Sequence, residues 1–270
     1  MLLNLELVTA QTAADSLAIV HASWQVKSLQ KGIKSKCALF KNLYGSPQSI
    51  NIIEIDPRHY RAAIGVADSM MHTGRQAKEL NAVAAINGSY FDMKRGNSVC
   101  YLKLGKAVID TTTTSEFNLR VTGALLIKKG KVSLKPWSKA IEKCYRSRKT
   151  DVLASGPLML DNGRLADWSK CEESFIQTRH PRSAIALSKE GKVWLIAIDG
   201  RSPDNAAGMS IPELAYLIRI LGGKDSLNLD GGGSTTLWTT EGVVNHPTDN
   251  RKFDHEGERK VPNVVYFYKR

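Results

Sequence analysis

The stretch RSAIALSKEGKVWLIAIDG, residues 182–200, decides the fold because it holds two apolar runs on either side of a short polar turn. The runs at 182–188 and 192–199 have the length and the aliphatic content of buried strands. Between them, Gly191 supplies the positive φ that a tight hairpin turn requires. The stretch therefore predicts a β-hairpin.

The same pattern recurs along the chain. Residues 123–134 form a second pair of apolar runs around the turn signal KKGK, and further short runs predict strands at 49–56, 82–86 and 99–105.

Two segments have helical patterns. Residues 74–83 show a weak one, and residues 210–223 show the strongest in the chain. In the second segment Ser210 is placed to cap the helix and Glu213 to complete a capping box, which favours a structural role for Glu213. Many strands with few helices predict an α+β fold, with a mixed, mainly antiparallel β-sheet core and a few packed helices in a single domain.

No linker or repeat divides the 270 residues. Residues 1–38 are the least patterned part, and we expect them to form an N-terminal arm or a signal remnant, since Val8-Thr9-Ala10 resembles the end of a leader peptide. Residues 39–270 then form the functional domain. No apolar run is long enough for a transmembrane helix.

The amino-acid composition limits the classes of partner that this chain is expected to bind. The chain carries 38 Lys and Arg against 26 Asp and Glu, a net charge of +12, which favours an anionic partner. The basic residues are spread along the chain and no zinc finger or helix-turn-helix pattern occurs, so nucleic acid is not expected. The four cysteines form no CxxC pair, which argues against a zinc site or a redox motif and leaves free thiols or disulfides open.

Polar residues followed by glycine end three of the apolar runs: Asn87-Gly88, Asp199-Gly200-Arg201 and Asp230-Gly231-Gly232-Gly233. Each is an ordinary turn signal by itself. Three strands ending in this way predict a common site if the ends converge, because rigid strands hold such side chains in place.

The strand end at Asp230 gives the most specific indication of a ligand site. Side chains alternate along a strand, so Asn228 and Asp230 face away from the side on which Leu227 and Leu229 pack. The three glycines then allow a ligand to approach bare backbone, and successive N–H groups in such a turn bind phosphate or another oxyanion. Ser234 and Thr235 add hydroxyl donors.

Other known site patterns are absent from the sequence: it has no GxxxxGK[ST], no GxSxG and no HExxH. The histidines His180, His246 and His255 are interpreted as surface or supporting residues. No cofactor is expected, although a divalent metal held by Asp92, Asp199 and Asp230 stays open as an alternative.

An ordered set of motifs resembles the phosphodiester glycosidase family, which includes animal lysosomal enzymes and bacterial exopolysaccharide-associated proteins. The motifs are NGSYFD (87–92), SGPLMLDNGR (155–164), RHPRSAIAL (179–187), DGR (199–201), GMSIPELAYLI (208–218), LNLDGGGSTTL (227–237) and the closing segment 243–268. The resemblance covers roughly residues 40–268. It implies cleavage of a sugar joined through its anomeric oxygen to a phosphodiester, with N-acetylglucosamine as one candidate sugar.

The reaction that this resemblance implies suggests roles for residues within the motifs. Asp230 is the first candidate for the catalytic carboxylate, as base, nucleophile or stabiliser of positive charge, and Asp199 is the second. Phosphate is a good leaving group, so cations matter more than a general acid, and three motif arginines suit its recognition. The expected substrate-binding set is Asn87, Gly88, Tyr90, Asp92, Arg182, Arg201, Asn228, Gly231, Gly232, Gly233, Ser234, Thr235 and Arg259.

Several alternatives stay open at this stage. Tyr90 stands where the family often has phenylalanine, and its hydroxyl either reaches the ligand or lies in the core; each arginine is alternatively a structural ion pair. The chain is alternatively a non-catalytic envelope protein that binds phosphorylated glycan, or a phosphodiesterase that breaks the P–O bond. Because members of the family are usually exported, the resemblance implies a periplasmic or secreted protein.

Overall fold

The computed structural model describes residues 12–270. Their strands form three sheets, and every strand pair is antiparallel. In spatial order, the eight strands of the first sheet are β1 (Gln25–Gln30), β2 (Ile33–Leu43), β3 (Ser46–Ile55), β14 (Val193–Ile198), β13 (Arg182–Ser188), β15 (Gly223–Asn228), β11 (Leu158–Asp161) and β12 (Arg164–Leu165).

The other two sheets have five strands each. The second consists of β7 (Ala107–Asp110), β6 (Leu102–Leu104), β10 (Asp151–Ser155), β8 (Gly123–Lys128) and β9 (Lys131–Pro136). The third consists of β17 (Gly242–Val243), β16 (Leu237–Thr239), β5 (Ala84–Asn87), β18 (Lys260–Lys269) and β4 (Tyr60–His72).

The helices are short. They are α1 (Ala13–Val20), α2 (Thr73–Glu79), α3 (Thr114–Leu119), α4 (Lys139–Cys144), α5 (Glu173–Gln177) and α6 (Ile211–Ile220), with one 3₁₀ turn at Gly232–Ser234. Sheets with few helices confirm the predicted α+β class.

Both predicted hairpins are present. In the first, β13 pairs with β14 so that Ile185 lies opposite Leu195, and Gly191 has a φ of 77°. In the second, β8 and β9 are joined through Lys129 and Gly130, which have φ values of 53° and 74°. Two consecutive left-handed residues are typical of the turn that matches the twist of adjoining strands.

The helix predictions are confirmed in part. Ser210 caps α6, and its N–H donates to Glu213 Oε2 at 2.8 Å while its Oγ accepts from Glu213 N at 3.4 Å, which is the predicted capping box. The weaker helix is α2, and it ends at Glu79 rather than at residue 83. Asn81 then adopts a φ of 52°, which breaks the helix before β5.

Residues 13–38 contribute to regular structure. They form α1, β1 and the first half of β2, and these strands are hydrogen bonded into the first sheet. The boundary expected at residue 39 falls inside β2. Residues 1–11, which include Val8-Thr9-Ala10, lie outside the described part of the chain.

Both faces of the first sheet are covered, which explains the nearly continuous apolar runs of β3 and β14. Ile53 and Leu195 pack on one face with residues of the other two sheets. Ile52 and Ile196 pack on the opposite face with α6.

The sheet brings the predicted strand ends together. Because β13 is antiparallel to both β14 and β15, the ends of β14 and β15 lie at the edge of the sheet where β13 begins. Arg182 pairs with Ile198, and Ala184 pairs with Asn228. Asp199 and Asp230, which follow those strands, therefore leave the sheet at the same edge.

Cys37, Cys100, Cys144 and Cys171 are free thiols. Within residues 12–270, no helix is both long and apolar enough to cross a membrane.

Candidate active site

Hydrogen bonds join the end of β5 to the turn that follows β15. The backbone N–H of Asp230 donates to Gly88 O at 3.0 Å, and Asn87 Nδ2 donates to Asp230 O at 2.6 Å. Asn87 Oδ1 accepts from Ser183 Oγ at 2.6 Å and from Thr236 N at 3.1 Å. The buried Asn87 side chain therefore holds three segments together beneath the site.

This network predicts a large stability effect for Asn87→Ala. The substitution leaves three buried polar groups without their partner, and each such group costs about 1 kcal/mol or more. We expect the free energy of unfolding to fall by about 2–4 kcal/mol in urea denaturation. The exposed Asn205→Ala variant is the matched control, with a change within about 0.5 kcal/mol; an equal change in the two variants would contradict the role given to Asn87.

The Asp230 carboxyl is partly exposed but closely surrounded by protein. Desolvation raises its pKa to about 6, and the nearby Ser234 hydroxyl and the charges of Arg120 and Arg259 offset part of that rise. A carboxyl with this pKa changes its charge near neutral pH, which suits an acid–base or nucleophilic group.

Two guanidinium groups lie over the triple-glycine turn. A Cβ on Gly232, which has a φ of 61°, would come within 2.9 Å of Arg201 Nη2. A Cβ on Gly233 would collide with the Arg259 guanidinium. The glycines are therefore required for the approach of two cations to the backbone beside Asp230.

The two arginines are held differently. Arg259 Nε donates to Asp249 Oδ1 at 2.8 Å, and its Nη2 donates to the same oxygen. The exposed Arg201 side chain makes no hydrogen bond or ion pair within residues 12–270. Its backbone has a φ of 59°, a conformation that is uncommon for arginine and concentrates at functional sites.

Unpaired donors surround the turn. The backbone N–H groups of Gly231 and Gly233 donate to no group in the described part of the chain. The buried hydroxyls of Thr235 and Thr236 likewise lack a partner among residues 12–270. Buried polar groups normally have partners, so the unpaired N–H groups of Gly231 and Gly233 are donors suited to an oxyanion.

Asp199 is fully buried and orients a histidine. The N–H of His246 donates to Asp199 Oδ1 at 2.8 Å, and His246 Nδ1 lies 3.0 Å from Asp199 Oδ2. The same carboxylate accepts three further hydrogen bonds at 2.6–3.1 Å, from Ser49 Oγ, Asn51 Nδ2 and Asn245 Nδ2. With Nδ1 of His246 donating to this carboxylate, the other ring nitrogen, Nε2, is left available for proton transfer.

The His246 ring is fixed on both faces. Phe253 stacks on it with 3.9 Å between centroids, and His255 stacks with 4.4 Å between centroids. Asn245, the residue before His246, also donates to Thr235 O at 3.1 Å. The Asp199–His246 pair is thus tied to the glycine turn through one side chain.

The buried wall behind Asp230 contains Tyr90, Asn228 and Arg120. Tyr90 Oη donates to Gly156 O at 2.5 Å, and Asn228 Nδ2 donates to Tyr90 Oη at 2.8 Å. Arg120 Cζ lies 3.6 Å from the centre of the Tyr90 ring, and its Nε donates to Glu116 Oε2 at 2.8 Å. Tyr90 is therefore a core aromatic that supports a cation near Asp230.

Two expected site residues are engaged elsewhere. The guanidinium of Arg182 is buried and donates to the backbone carbonyls of Met209, Phe175 and Thr178, so it supports the start of β13. The Asp92 carboxylate accepts from the N–H groups of Lys94 and Arg95 in a local turn.

A metal site is not formed by the carboxylates that sequence suggested. Residues 12–270 contain no group of three or more His, Cys, Asp or Glu side chains arranged to hold a metal ion. Asp92, Asp199 and Asp230 are engaged in three separate sets of contacts.

Sequence reasoning missed three residues of the site: Arg120, His246 and Asp249. Both His246 and Asp249 lie in the closing segment NHPTDN, whose polar content was the available signal. Arg120 lies in no motif. The signal available in the sequence was its i,i+4 spacing from Glu116, which is typical of an ion pair on a helix.

Comparison with protein families places this geometry in context. The sequence model of the phosphodiester glycosidase family matches residues 80–268, about two thirds of the chain and all of the strand ends described above.

Two curated relatives are N-acetylglucosamine-1-phosphodiester α-N-acetylglucosaminidases. The mouse protein is 23% identical over 104 residues, which are 37% of this chain and 20% of the relative. The bovine protein is 21% identical over 187 residues, which are 64% of this chain and 34% of the relative. The chain thus matches about a third or less of the length of these relatives.

Solved structures share the fold. The catalytic domain of the zebrafish N-acetylglucosamine-1-phosphodiester α-N-acetylglucosaminidase, auto-inhibited by its pro-peptide, superposes with a TM-score of 0.70 at 18% identity, covering 92% of this chain and 88% of that one. A hypothetical protein from Synechocystis has a TM-score of 0.67 at 16% identity, covering 92% and 64%. A protein of Burkholderia pseudomallei described as exported has a TM-score of 0.59 at 15% identity, covering 85% and 75%.

Proposed function

The chain belongs to the phosphodiester glycosidase family, and from that premise we propose that it hydrolyses a sugar-1-phosphodiester at the glycosidic C–O bond. The products are a free sugar and a phosphomonoester. The observation that carries the proposal is the position of Arg201 and Arg259 over the glycine turn that follows Asp230. The names of the mammalian relatives make N-acetylglucosamine the first sugar to test.

The cations and the glycine turn bind the departing phosphate. As the C–O bond breaks, negative charge grows on the bridging oxygen that leaves with the phosphate. This charge is stabilised by hydrogen-bond donors that are already in place before the bond breaks. They are the guanidinium groups of Arg201 and Arg259 and the free N–H groups of Gly231 and Gly233. A leaving group stabilised in this way has little need of the strong general acid that ordinary glycosidases use.

Asp230 acts on the sugar side. In the ionised form its carboxylate stabilises the positive charge that develops at the anomeric carbon, or attacks that carbon directly. Desolvation, which raises its pKa to about 6, makes the carboxylate a better nucleophile and strengthens its interaction with positive charge.

This role predicts the pH dependence of kcat/KM. Asp230 is active as the anion, so kcat/KM should rise tenfold per pH unit below about pH 6 and level off above it. Steady-state assays from about pH 4.5 to about pH 8 measure this profile. A kcat/KM that instead falls as the pH rises through 6 would assign Asp230 the role of a general acid.

His246 moves a proton at Nε2. Because Asp199 accepts the Nδ1 proton, Nε2 is the ring nitrogen that takes a proton from the attacking water. We expect His246→Gln to lower kcat by about 10²-fold, the usual size of a general-base effect. The exposed His72→Gln variant is the control, and activity of His246→Gln within threefold of the parent protein would contradict this role.

Direct assay of sugar release tests the proposal as a whole. The purified chain is incubated with N-acetyl-α-glucosamine 1-(methyl phosphate), and free N-acetylglucosamine is measured by chromatography. We expect release that is lost in Asp230→Asn. Binding of the ester without turnover would instead identify a phosphoglycan-binding protein.

We further propose that the protein is exported and acts on phosphorylated glycan outside the cytoplasm. This is supported by the structural similarity to a protein described as exported and by the carbohydrate phosphodiesters named for the curated relatives. Cell fractionation with a cytoplasmic marker enzyme tests the location.

A further inference from the structure

A basic cavity lies at the opposite end of the strands from Asp230. It has a volume of about 750 Å³, and its walls include Arg58, Arg61, Lys129, Lys131, Lys189 and Lys224. These side chains come from four separate segments of the chain: residues 58–61 at the entry to β4, residues 129–131 at the β8–β9 turn, the β13–β14 turn and the start of β15. The fold therefore gathers cations that the sequence spreads out.

The charge of this cavity is largely uncompensated. Four of its lysines make no ion pair within residues 12–270, namely Lys129, Lys131, Lys189 and Lys224. The lining contains one acidic side chain, that of Asp225, and its Oδ1 already accepts the N–H of Asn162 at 2.8 Å. Arg58 is an exception, since it is paired with Asp56 at 2.6 Å.

Strand direction separates the cavity from the catalytic candidates. Along β15 the chain runs from Lys224 at the cavity to Asp230 at the glycine turn, a distance of about 20 Å at the usual rise per residue. Leu187 pairs with Asp225 at the cavity end of the sheet, and Arg182 begins the same strand at the other end. A short ester bound at Asp230 does not reach this cavity.

The shape and lining favour a flexible anionic chain without bases. Tyr60 is the aromatic residue in the lining, and it is buried with its hydroxyl donating to Lys31 O at 2.8 Å. The cavity thus lacks the exposed aromatic rings on which nucleic acid bases stack. A flat membrane surface would meet only the rim of a concave site.

We propose that this cavity is a second binding site, which holds a phosphate-bearing polysaccharide or polyol chain while another part of the same polymer reaches Asp230. The chemical class of the polymer rests on the proposed function. Two sites about 20 Å apart on one chain raise the effective concentration of the second contact once the first has formed.

The test compares two triple variants with the same change in charge. Lys131→Gln/Lys189→Gln/Lys224→Gln removes cavity cations, whereas Lys41→Gln/Lys106→Gln/Lys170→Gln removes exposed lysines elsewhere. Binding of fluorescent poly(glycerol phosphate) is measured by anisotropy, with circular dichroism to verify folding. We expect affinity to fall about tenfold or more in the cavity variant and to change less than about threefold in the control.

Two results would overturn the second site: equal loss of affinity in both variants, or tighter binding of oligothymidylate or phosphatidylglycerol vesicles than of the polymer. Hydrolysis of the short methyl phosphodiester should be the same in the cavity variant as in the parent protein. An inactive parent protein that still binds the polymer through the cavity would contradict the proposed function alone.

Discussion

Asp230→Asn should lower the hydrolysis of a sugar-1-phosphodiester by about 10³-fold or more, because it removes the anionic group that we propose acts on the anomeric carbon. The same substitution should stabilise the protein at neutral pH. Burial raises the pKa of Asp230 from its usual value near 3.8 to about 6, so the folded state binds this proton more tightly than the unfolded state. The free energy of unfolding therefore falls as the pH rises between these values, and the cost persists above pH 6.

Asparagine has nearly the same shape as aspartate but carries no charge, so it removes the free-energy cost of burying a negative charge at this position. We expect Asp230→Asn to raise the free energy of unfolding by about 1–3 kcal/mol near pH 8 and by much less near pH 4, as measured by urea denaturation. Asp161→Asn, at the exposed end of β11, is the control for the loss of one carboxylate. Retention of activity within tenfold in Asp230→Asn would show that another group does the chemistry.

Arg201→Gln should separate recognition of phosphate from recognition of sugar. The guanidinium lies over Gly232 and has no ion-pair partner among the described residues, so its charge is available to the leaving phosphate. We expect kcat/KM for the phosphodiester to fall by about 10²–10³-fold, the size of effect found when one transition-state donor is removed. Hydrolysis of 4-nitrophenyl N-acetyl-α-glucosaminide, which lacks phosphate, should fall much less.

The control for this substitution is Arg219→Gln, on the exposed side of α6. It removes the same charge and should leave both substrates within about twofold, because distant exposed charges are screened by salt. Equal losses on both substrates in Arg201→Gln would mean that the arginine supports the shape of the site rather than phosphate binding.

The local part of the fold was predictable from sequence. Apolar runs and left-handed turn residues such as Gly191 specify hairpins, because strand period and turn geometry are local properties. The order of strands in the sheets was not predictable in this way. The pairing of β14 with β3, for example, joins residues about 140 positions apart and depends on packing against both faces of the sheet.

The same limit applies to the candidate site. The polar residues at strand ends indicated that Asn87, Asp199 and Asp230 would converge, and hydrogen bonds connect all three to one turn region. Their individual roles depended on contacts that sequence does not contain. Asn87 lies beneath the turn, whereas Asp199 orients His246, which had been interpreted as a surface or supporting residue.

The position of the broken bond tests the central claim most directly. Hydrolysis is run in water enriched in oxygen-18, and both products are examined by mass spectrometry. Cleavage at the anomeric carbon places the label in the released sugar and leaves the phosphomonoester unlabelled. Label in the phosphomonoester would show attack at phosphorus and would contradict a site in which Asp230 acts on the sugar while Arg201 and Arg259 hold the departing phosphate.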